Sequence, residues 1–350
     1  MIGILTFWGI PNCGTFAQAY ALQKIISDIM PNEETYQLAY LNDIHKKFYE
    51  LDCSTDERIE KRNELFKRVY SLIPNINISC NKEFTNLQLE HLILGSDIIW
   101  DFNVPFFGSD PYLYGLGINS ENKFSYAASF GTCKSSWNRI PSYVIEGLTK
   151  IDKISVRDVN SQIIIEKILN KKVSTVLDPV WLWDWNFDEN IVTPNEINYI
   201  FVYGENFSLD YKKKIKQYAM KNNLIVIGYG TKEEDCSWCD RILNDYMITP
   251  FELIGYIKKA NVIATNSFHG FNFGLYFHKK IVYYSSDFID SKLKNLLSEL
   301  EIDDLYLNSK DFDKMLAEQL DFQNIDKKIS NKRKMSIEFL KKGLCIDNGF

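Results

Sequence analysis

The second half of this chain alternates strand-like and helix-like segments so regularly that few folds remain open to it. Short apolar runs at 198–203, 224–229, 262–265 and 281–284 are predicted strands. The stretches at 209–221, 250–259, 271–277 and 292–300 are predicted helices. This order is typical of a parallel sheet with helices on both faces. The pattern therefore predicts an α/β domain.

The first half shows the same alternation less cleanly. Predicted strands at 2–7, 91–94, 124–130, 151–156 and 173–177 accompany helices such as 15–30, for which Thr15 is the predicted cap. Since 350 residues exceed the roughly 250–300 that one core supports, we predict two domains. Residues 1–185 form the first and 186–310 the second, and a helical tail at 311–350 packs back on the first. The tryptophans before the junction are expected to pack at the interface.

Charge and cysteine content narrow the function classes. Lys and Arg number 40 against 46 Asp and Glu, a net charge of −6, which disfavours a nucleic-acid partner. Seven cysteines are an odd number in a long chain and predict no disulfide framework. One C-x-x-C pair, Cys236 and Cys239, has no second pair, so no metal site is predicted.

No leader peptide and no apolar run long enough for a bilayer are recognised, which favours the cytoplasm.

Ligands of such sheets bind beyond the carboxyl ends of the strands, where this chain carries four polar or glycine-rich segments. Asp97 is either a base for a sugar hydroxyl or a turn residue. Arg157 either forms a fork for an anion or pairs with Asp158 at the surface. His269 follows a predicted strand at a helix start, where anions are favoured and a proton can be transferred. The four segments are Asn12–Thr15, Gly95–Asp97, Ser155–Asp158 and Asn266–Gly270.

Taken together, these positions resemble the polysaccharide pyruvyl transferase family. The matching segments, in the family's order, are Asn12–Leu22, Gly95–Asp101, Tyr126–Gly131, Ser155–Asp158, Asp178–Pro179 and Asn266–Gly270. The resemblance implies two Rossmann-like domains facing across a cleft, as in GT-B glycosyltransferases. It also implies phosphoenolpyruvate as donor, and a glycan or lipid-linked oligosaccharide as acceptor, with peripheral contact to the inner face of the membrane through that acceptor. It implies no cofactor and no metal.

The resemblance also suggests roles for individual residues. His269 is the predicted acid or phosphate partner, with Asp97 or Asp178 as base. The predicted donor site comprises Arg157, Ser267, Phe268, His269 and Gly270, and the predicted acceptor site comprises Asn12, Gly14, Thr15, Ser96 and Trp100. Many members have Arg-Leu-His-Gly where this chain has a serine at 267, and a glutamine where it has Ile98.

Two alternatives to pyruvyl transfer stay open. A nucleotide-sugar glycosyltransferase shares the expected fold and needs an acidic residue for a ribose, for which Glu299 or Asp287 is available. A catalytically silent glycan-binding homologue is the other, favoured by the missing arginine. The acceptor sugar, the ketal positions and the oligomeric state are not predicted.

Overall fold

Two parallel sheets flanked by helices form the chain, in a computed structural model that describes residues 1–51, 56–107, 109–137, 139–230 and 236–346. The first sheet has the order β3-β2-β1-β4-β5-β6-β7, with every pair parallel. Its strands are β1 (Ile2–Leu5), β2 (Thr35–Ala39), β3 (Asn75–Asn77), β4 (Leu89–Leu94), β5 (Ser120–Ala128), β6 (Lys153–Val156) and β7 (Ser174–Thr175).

The second sheet has the order β10-β9-β8-β11-β12, again all parallel. Its strands are β8 (Tyr199–Tyr203), β9 (Ile225–Gly230), β10 (Arg241–Asn244), β11 (Val262–Thr265) and β12 (Lys280–Tyr283). The predicted class, two α/β domains with parallel sheets, is confirmed. The predicted boundary at 185 and 186 lies in the segment between the two sheets.

Helices cover both sheets. They are α1 (Cys13–Ile29), α2 (Asp43–Leu51), α3 (Asp56–Tyr70), α4 (Ser142–Thr149), α5 (Val159–Leu169), α6 (Leu209–Lys221), α7 (Pro250–Lys259), α8 (Phe268–Tyr276), α9 (Asp287–Leu300), α10 (Phe312–Ala317) and α11 (Phe322–Gly343).

Three helices begin earlier than their apolar periodicity predicted, because side-chain caps start them. Asn12, rather than Thr15, caps α1 and accepts hydrogen bonds from the amides of residues 14 and 15. Ser267 caps α8 and Ser286 caps α9. Serine and asparagine are favoured at this position because their oxygens accept from the first free amides. As a result His269 lies in the first turn of α8 itself.

Aromatic side chains join the two halves. Trp185 is fully buried and contacts Phe273 of α8, with ring centres 5.2 Å apart. In α1, Phe16 and Tyr20 both pack edge-on against Phe251 of α7, at 5.4 and 5.2 Å. The core therefore continues from one sheet to the other, and α1 is held between them.

The last helix lies against the first sheet, although it follows the second in the chain. The Leu177 amide donates to Ser336 Oγ at 3.0 Å, and Asn122 Nδ2 donates to the Gly343 carbonyl at 2.5 Å. A Cβ at Gly343 would lie 2.6 Å from the ring of Phe124, so only glycine permits this approach. The chain thus crosses between the sheets twice.

None of the helices in the described ranges combines the length and the apolar character needed to cross a bilayer.

Candidate active site

Three buried charged side chains meet at the carboxyl edge of the first sheet. Asp97 follows β4, Arg157 follows β6, and Asp178 starts the short helical turn after β7. Arg157 donates from Nη1 to Asp178 Oδ2 at 2.8 Å and from Nη2 to Asp97 Oδ1 at 3.1 Å. We call these three residues the acid–arginine cluster. The sheet order brings them together, because β4, β5 and β6 are neighbours.

The predicted surface alternative for Arg157 is wrong. Arg157 is only 7% exposed, and Asp158 turns away to cap α5. The Asp158 carboxylate accepts from the amide and from the hydroxyl of Ser161, at 2.8 and 2.9 Å. The guanidinium also lies over the ring of Phe268, 4.7 Å from its centre. Arg157 is therefore fixed from both halves of the molecule.

Asp97 is held in its ionised form. Burial would raise the pKa of its carboxyl group, but the charges of Arg157, His269 and Lys292 lower that pKa to about 2. The carboxylate also accepts hydrogen bonds from Thr15 Oγ1 at 3.1 Å and from the Ile98 amide at 2.8 Å. A carboxylate with so low a pKa is a weak base. The structure thus argues for Asp97 as an anchor of Arg157.

His269 extends the cluster across the cleft. Its Nε2 lies 3.9 Å from Asp178 Oδ1, the second oxygen of a carboxylate that already binds Arg157. Burial lowers the pKa of the imidazole, although Asp178 and Asp97 oppose that shift. Nε2 is buried and has no hydrogen-bond partner among the described residues. A neutral imidazole with one nitrogen unoccupied can accept or pass on a proton.

Two helix N-termini, one from each half, face each other at this point. Gly14 in the first turn of α1 lies so close to His269 that a Cβ there would be 2.2 Å from Nδ1. The first amides of a helix lack partners within the helix, and the helix dipole is positive at that end. Both ends thus contribute positive potential beside the acid–arginine cluster. Such a potential favours an anion.

The remaining residues of the predicted donor site shape the start of α8. Ser267 caps the helix by accepting from the Gly270 amide at 3.2 Å. A Cβ at Gly270 would lie 2.6 Å from Thr265 Oγ1 and 2.8 Å from the ring of Tyr203. Their roles towards a donor stay predictions, and the structure shows only that they fix the turn beside His269.

Two members of the predicted acceptor site do not reach the cleft. Trp100 is fully buried, its indole nitrogen donates to the Leu113 carbonyl at 3.0 Å, and its ring stacks on Tyr114. Ser96 is also fully buried, and its hydroxyl accepts from the amide of residue 97 at 2.6 Å. The turn after β4 points Trp100 into the core, so the prediction that it contacts an acceptor is wrong. Asn12 is exposed but serves as the cap of α1.

Two side chains beside the cluster were missed in the sequence. Lys292 lies in α9, half-buried, with its amine 3.7 Å from the ring centre of Phe288. Burial and the charge of Arg157 lower the pKa of Lys292 to about 7. Asn272 lies in α8 and is 1% exposed. Both line a cavity with Arg157. No sequence motif marks either residue; their one shared feature is a place on a helix that directly follows a strand of the second sheet.

The cysteine pair belongs to the packing of the second sheet. Cys239 donates its amide to the Cys236 carbonyl at 2.8 Å, and both side chains lie against Gly228 of β9. Among the described residues, no three His, Cys, Asp or Glu side chains are grouped to hold a metal ion.

The two facing sheets give the chain a GT-B-type fold, which solved structures share. It is similar to the UDP-GlcNAc 2-epimerase from Neisseria meningitidis bound to UDP-GlcNAc, with a TM-score of 0.55, 9% identity, and 99% of this chain and 100% of that chain covered. It is also similar to S. aureus MnaA in its UDP co-structure, with a TM-score of 0.52, 13% identity and 99% and 98% covered. Such low identities show the fold alone.

The family follows from the sequence match. The model of the polysaccharide pyruvyl transferase family matches residues 12–287, well over half of the chain. The chain therefore belongs to the polysaccharide pyruvyl transferase family, as its motifs predicted. No curated protein matches it.

Proposed function

We propose that this protein transfers the enolpyruvyl carbons of phosphoenolpyruvate to two hydroxyls of one sugar in a polysaccharide or its lipid-linked precursor. The product is a pyruvate ketal, and phosphate is released. The observation that carries the proposal is the connection of Arg157 to His269 through the two oxygens of Asp178, in the gap where two helix N-termini meet. Family membership supplies the reaction class.

Binding of the donor requires positive charge, because phosphoenolpyruvate carries a carboxylate and a phosphate. Each terminal nitrogen of Arg157 gives one N–H to a carboxylate, Nη1 to Asp178 and Nη2 to Asp97, whereas its Nε has no acceptor among the described residues. The ammonium of Lys292 and the amides at the start of α8 supply the remaining attraction. Arg157 then acts mainly as a fixed positive centre beside the donor, rather than as a fork that grips it.

Proton transfer falls to His269. The protonated imidazole gives its proton to the methylene carbon of the donor, which becomes a methyl group and leaves C2 oxocarbenium-like. The freed Nε2 then takes the proton of the first sugar hydroxyl as that oxygen bonds to C2. The second hydroxyl displaces phosphate at C2 and closes the ketal, and its proton leaves with the phosphate. Atoms and charge balance without an oxidant or a reductant. The charge of Asp178, 3.9 Å from Nε2, favours the protonated imidazole.

The glycosyltransferase alternative finds little support at the residues it needs. Asp287 is exposed at the first position of α9. Glu299 forms an ion pair with Lys332 at 2.5 Å, so its charge is already balanced. The UDP named for the S. aureus structure belongs to that protein.

The test is a product mass spectrum with phosphoenolpyruvate and a panel of lipid-linked glycans that carry neighbouring hydroxyls. We expect a pyruvyl ketal on at least one glycan and equimolar phosphate. Transfer from UDP-sugars, with phosphoenolpyruvate left intact, would establish the glycosyltransferase instead. No turnover with either donor, despite binding of a glycan, would establish the silent homologue.

The residue-level test is His269→Gln, which keeps a polar side chain but cannot carry a proton. We expect turnover to fall by about 10²–10⁴-fold, the usual contribution of a general acid–base group, with the melting temperature unchanged. His278→Gln is the matched control, since His278 pairs with Asp326 outside the cleft. Equal turnover in both variants would remove His269 from the mechanism.

A further inference from the structure

A small cavity lies on the side of Arg157 where α8 and α9 approach each other. Its walls include apolar side chains, but its polar members have an unusual composition. They are Arg157, Asp178, Asn272, Lys292, Asn295, Glu299 and Lys332. These are three cations, two carboxamides and two carboxylates. Each of the carboxylates already pairs with a cation of the same cavity.

Asn272 is the member that packing does not explain. It is 1% exposed, and neither its nitrogen nor its oxygen has a hydrogen-bond partner among the described residues. Buried polar groups are nearly always paired, because an unpaired one has lost its water without compensation. An apolar residue of the same shape would serve the core better. Asn272 is thus placed to bind something that is not part of the chain.

Two further donors line the same space. Arg157 Nε is buried and has no hydrogen-bond acceptor among the described residues. Lys292 forms no ion pair within the part of the chain that the structure describes, although its ammonium is half-buried. One carboxamide, one guanidinium nitrogen and one ammonium thus have hydrogen-bonding capacity to spare in one place. Donors of this kind, two of them cationic, match an oxyanion.

The size of the cavity bears on the ligand. Its volume is about 20 Å³, close to the roughly 10–15 Å³ that one water molecule needs. Asn295 and Lys292 form the partly exposed side of the wall, where Asn295 donates to Glu299 at 3.4 Å and Lys292 lies over the Phe288 ring. As it stands the cavity holds one water-sized group, so a phosphoryl group requires the Asn295 and Lys292 side chains to shift, and a nucleotide or a sugar is too large.

We infer that Asn272, Arg157 Nε and Lys292 form a subsite for a phosphate-type oxyanion. Asn272 Nδ2 and Arg157 Nε donate to oxygens of the anion, and the ammonium of Lys292 supplies a second positive charge on the same cavity wall. The anion is either the phosphoryl group of the donor or the inorganic phosphate that the reaction releases. The inference rests on the proposed function only in naming these two sources, since the subsite itself is defined by its unpaired donors.

The experiment measures binding of inorganic phosphate and of phosphoenolpyruvate to the full chain by calorimetry, without turnover. Asn272→Leu is the main variant because it keeps the size and removes the polar atoms. We expect its Kd for phosphate to rise at least about tenfold. Its melting temperature is expected to stay equal or rise, because an unpaired amide is lost. Asn272→Asp, which adds a negative charge, is expected to weaken phosphate binding further.

The two ligands distinguish the sources. Equal weakening for phosphate and phosphoenolpyruvate places the donor's phosphoryl group in the subsite, whereas weakening for phosphate alone identifies the site of the released product. Both outcomes uphold the subsite. Unchanged phosphate affinity in a folded Asn272→Leu protein overturns it, whether or not phosphoenolpyruvate binding changes. If the unmodified protein binds phosphate but transfers no pyruvyl group to any glycan, the proposed function is refuted and the subsite is upheld.

Discussion

Two buried ion clusters in this molecule have opposite ratios of carboxylates to guanidiniums. The acid–arginine cluster surrounds one guanidinium, Arg157, with two carboxylates. The other surrounds one carboxylate with two guanidiniums. There Asp245, just after β10, accepts from Arg58 Nη2 at 2.9 Å and from Arg62 Nη1 at 3.2 Å, and both arginines belong to α3. We call this second group the bridging cluster, because it joins the two halves.

The difference shows what each cluster is suited for. In the bridging cluster both oxygens of Asp245 are engaged, and the carboxylate is completely buried. In the acid–arginine cluster, Nε of Arg157 is left without a partner, and Lys292 and His269 lie nearby with spare capacity. A cluster whose central carboxylate is fully engaged by protein groups holds parts together, whereas one with spare cationic donors beside a cavity is a place for a ligand.

The largest expected effect is that of Arg157→Met. It removes the positive centre of the site and leaves Asp97 and Asp178 without a countercharge. We expect the free energy of unfolding to fall by about 3–5 kcal/mol, the usual result of breaking a buried ion pair from one side. Donor consumption per folded molecule should fall at least about 10²-fold. Urea denaturation and a phosphate-release assay measure the two effects.

Arg157→Lys is the control, since it keeps the charge but cannot bridge two carboxylates as a guanidinium does. We expect partial recovery of stability with little recovery of activity. Full activity in Arg157→Met would erase the distinction between the two clusters.

The intermediate effect is that of Asp245→Asn in the bridging cluster. Two buried arginines lose their shared carboxylate, so we expect a loss of stability of similar size, about 3–5 kcal/mol. Under conditions where the variant is folded, turnover should stay within a few-fold of the original, because both oxygens of Asp245 are engaged by protein groups and not by a ligand. Denaturation and turnover at low temperature test this. A variant that keeps its stability but loses turnover would show that the bridging cluster also serves catalysis.

The smallest effect is a pH dependence of donor binding, which sharpens the comparison by following one group near the acid–arginine cluster. The pKa of Lys292 is lowered to about 7, so its amine is protonated below that pH and neutral above it. Affinity for phosphoenolpyruvate should therefore fall as pH rises above 7, by at most about tenfold per pH unit for one proton. Calorimetry measures this slope from roughly pH 6, below the pKa of Lys292, to roughly pH 9, well above it.

Lys292→Arg, which stays charged over this range, is expected to flatten the slope. Lys294→Arg is the matched control on the same helix. The same slope in Lys292→Arg as in the unmodified chain would assign the dependence to another group.

Much of the fold could be predicted from the sequence, and so could those residues of the candidate site that directly follow strands. The β-α alternation predicts both sheets, and Asp97, Arg157 and Asp178 meet because neighbouring parallel strands end at one edge. His269 was found for the same reason. Trp100 was misplaced because a pattern of residue types does not show which way a turn directs the next side chain. A position directly after a strand therefore predicts a site residue better than aromatic character does.

Residues that reach the site from helices escaped prediction. Lys292 stood at the expected first position of its helix, but α9 begins at Asp287, so the lysine lies a full turn inside and faces Arg157. Asn272 had no motif to mark it. The bridging cluster was missed because it joins residues 183 and 187 positions apart, a separation at which local patterns carry no information.

The return of α11 to the first sheet has a mechanical consequence. Because the chain leaves the first lobe once and re-enters it once, the second lobe is tethered by two connecting segments in place of one. Any swing of that lobe has to flex both connections together, which restricts it to rotation about the line that joins them. A double tether of this kind keeps the two halves in one register, so that Gly14 of the first stays aligned with His269 of the second.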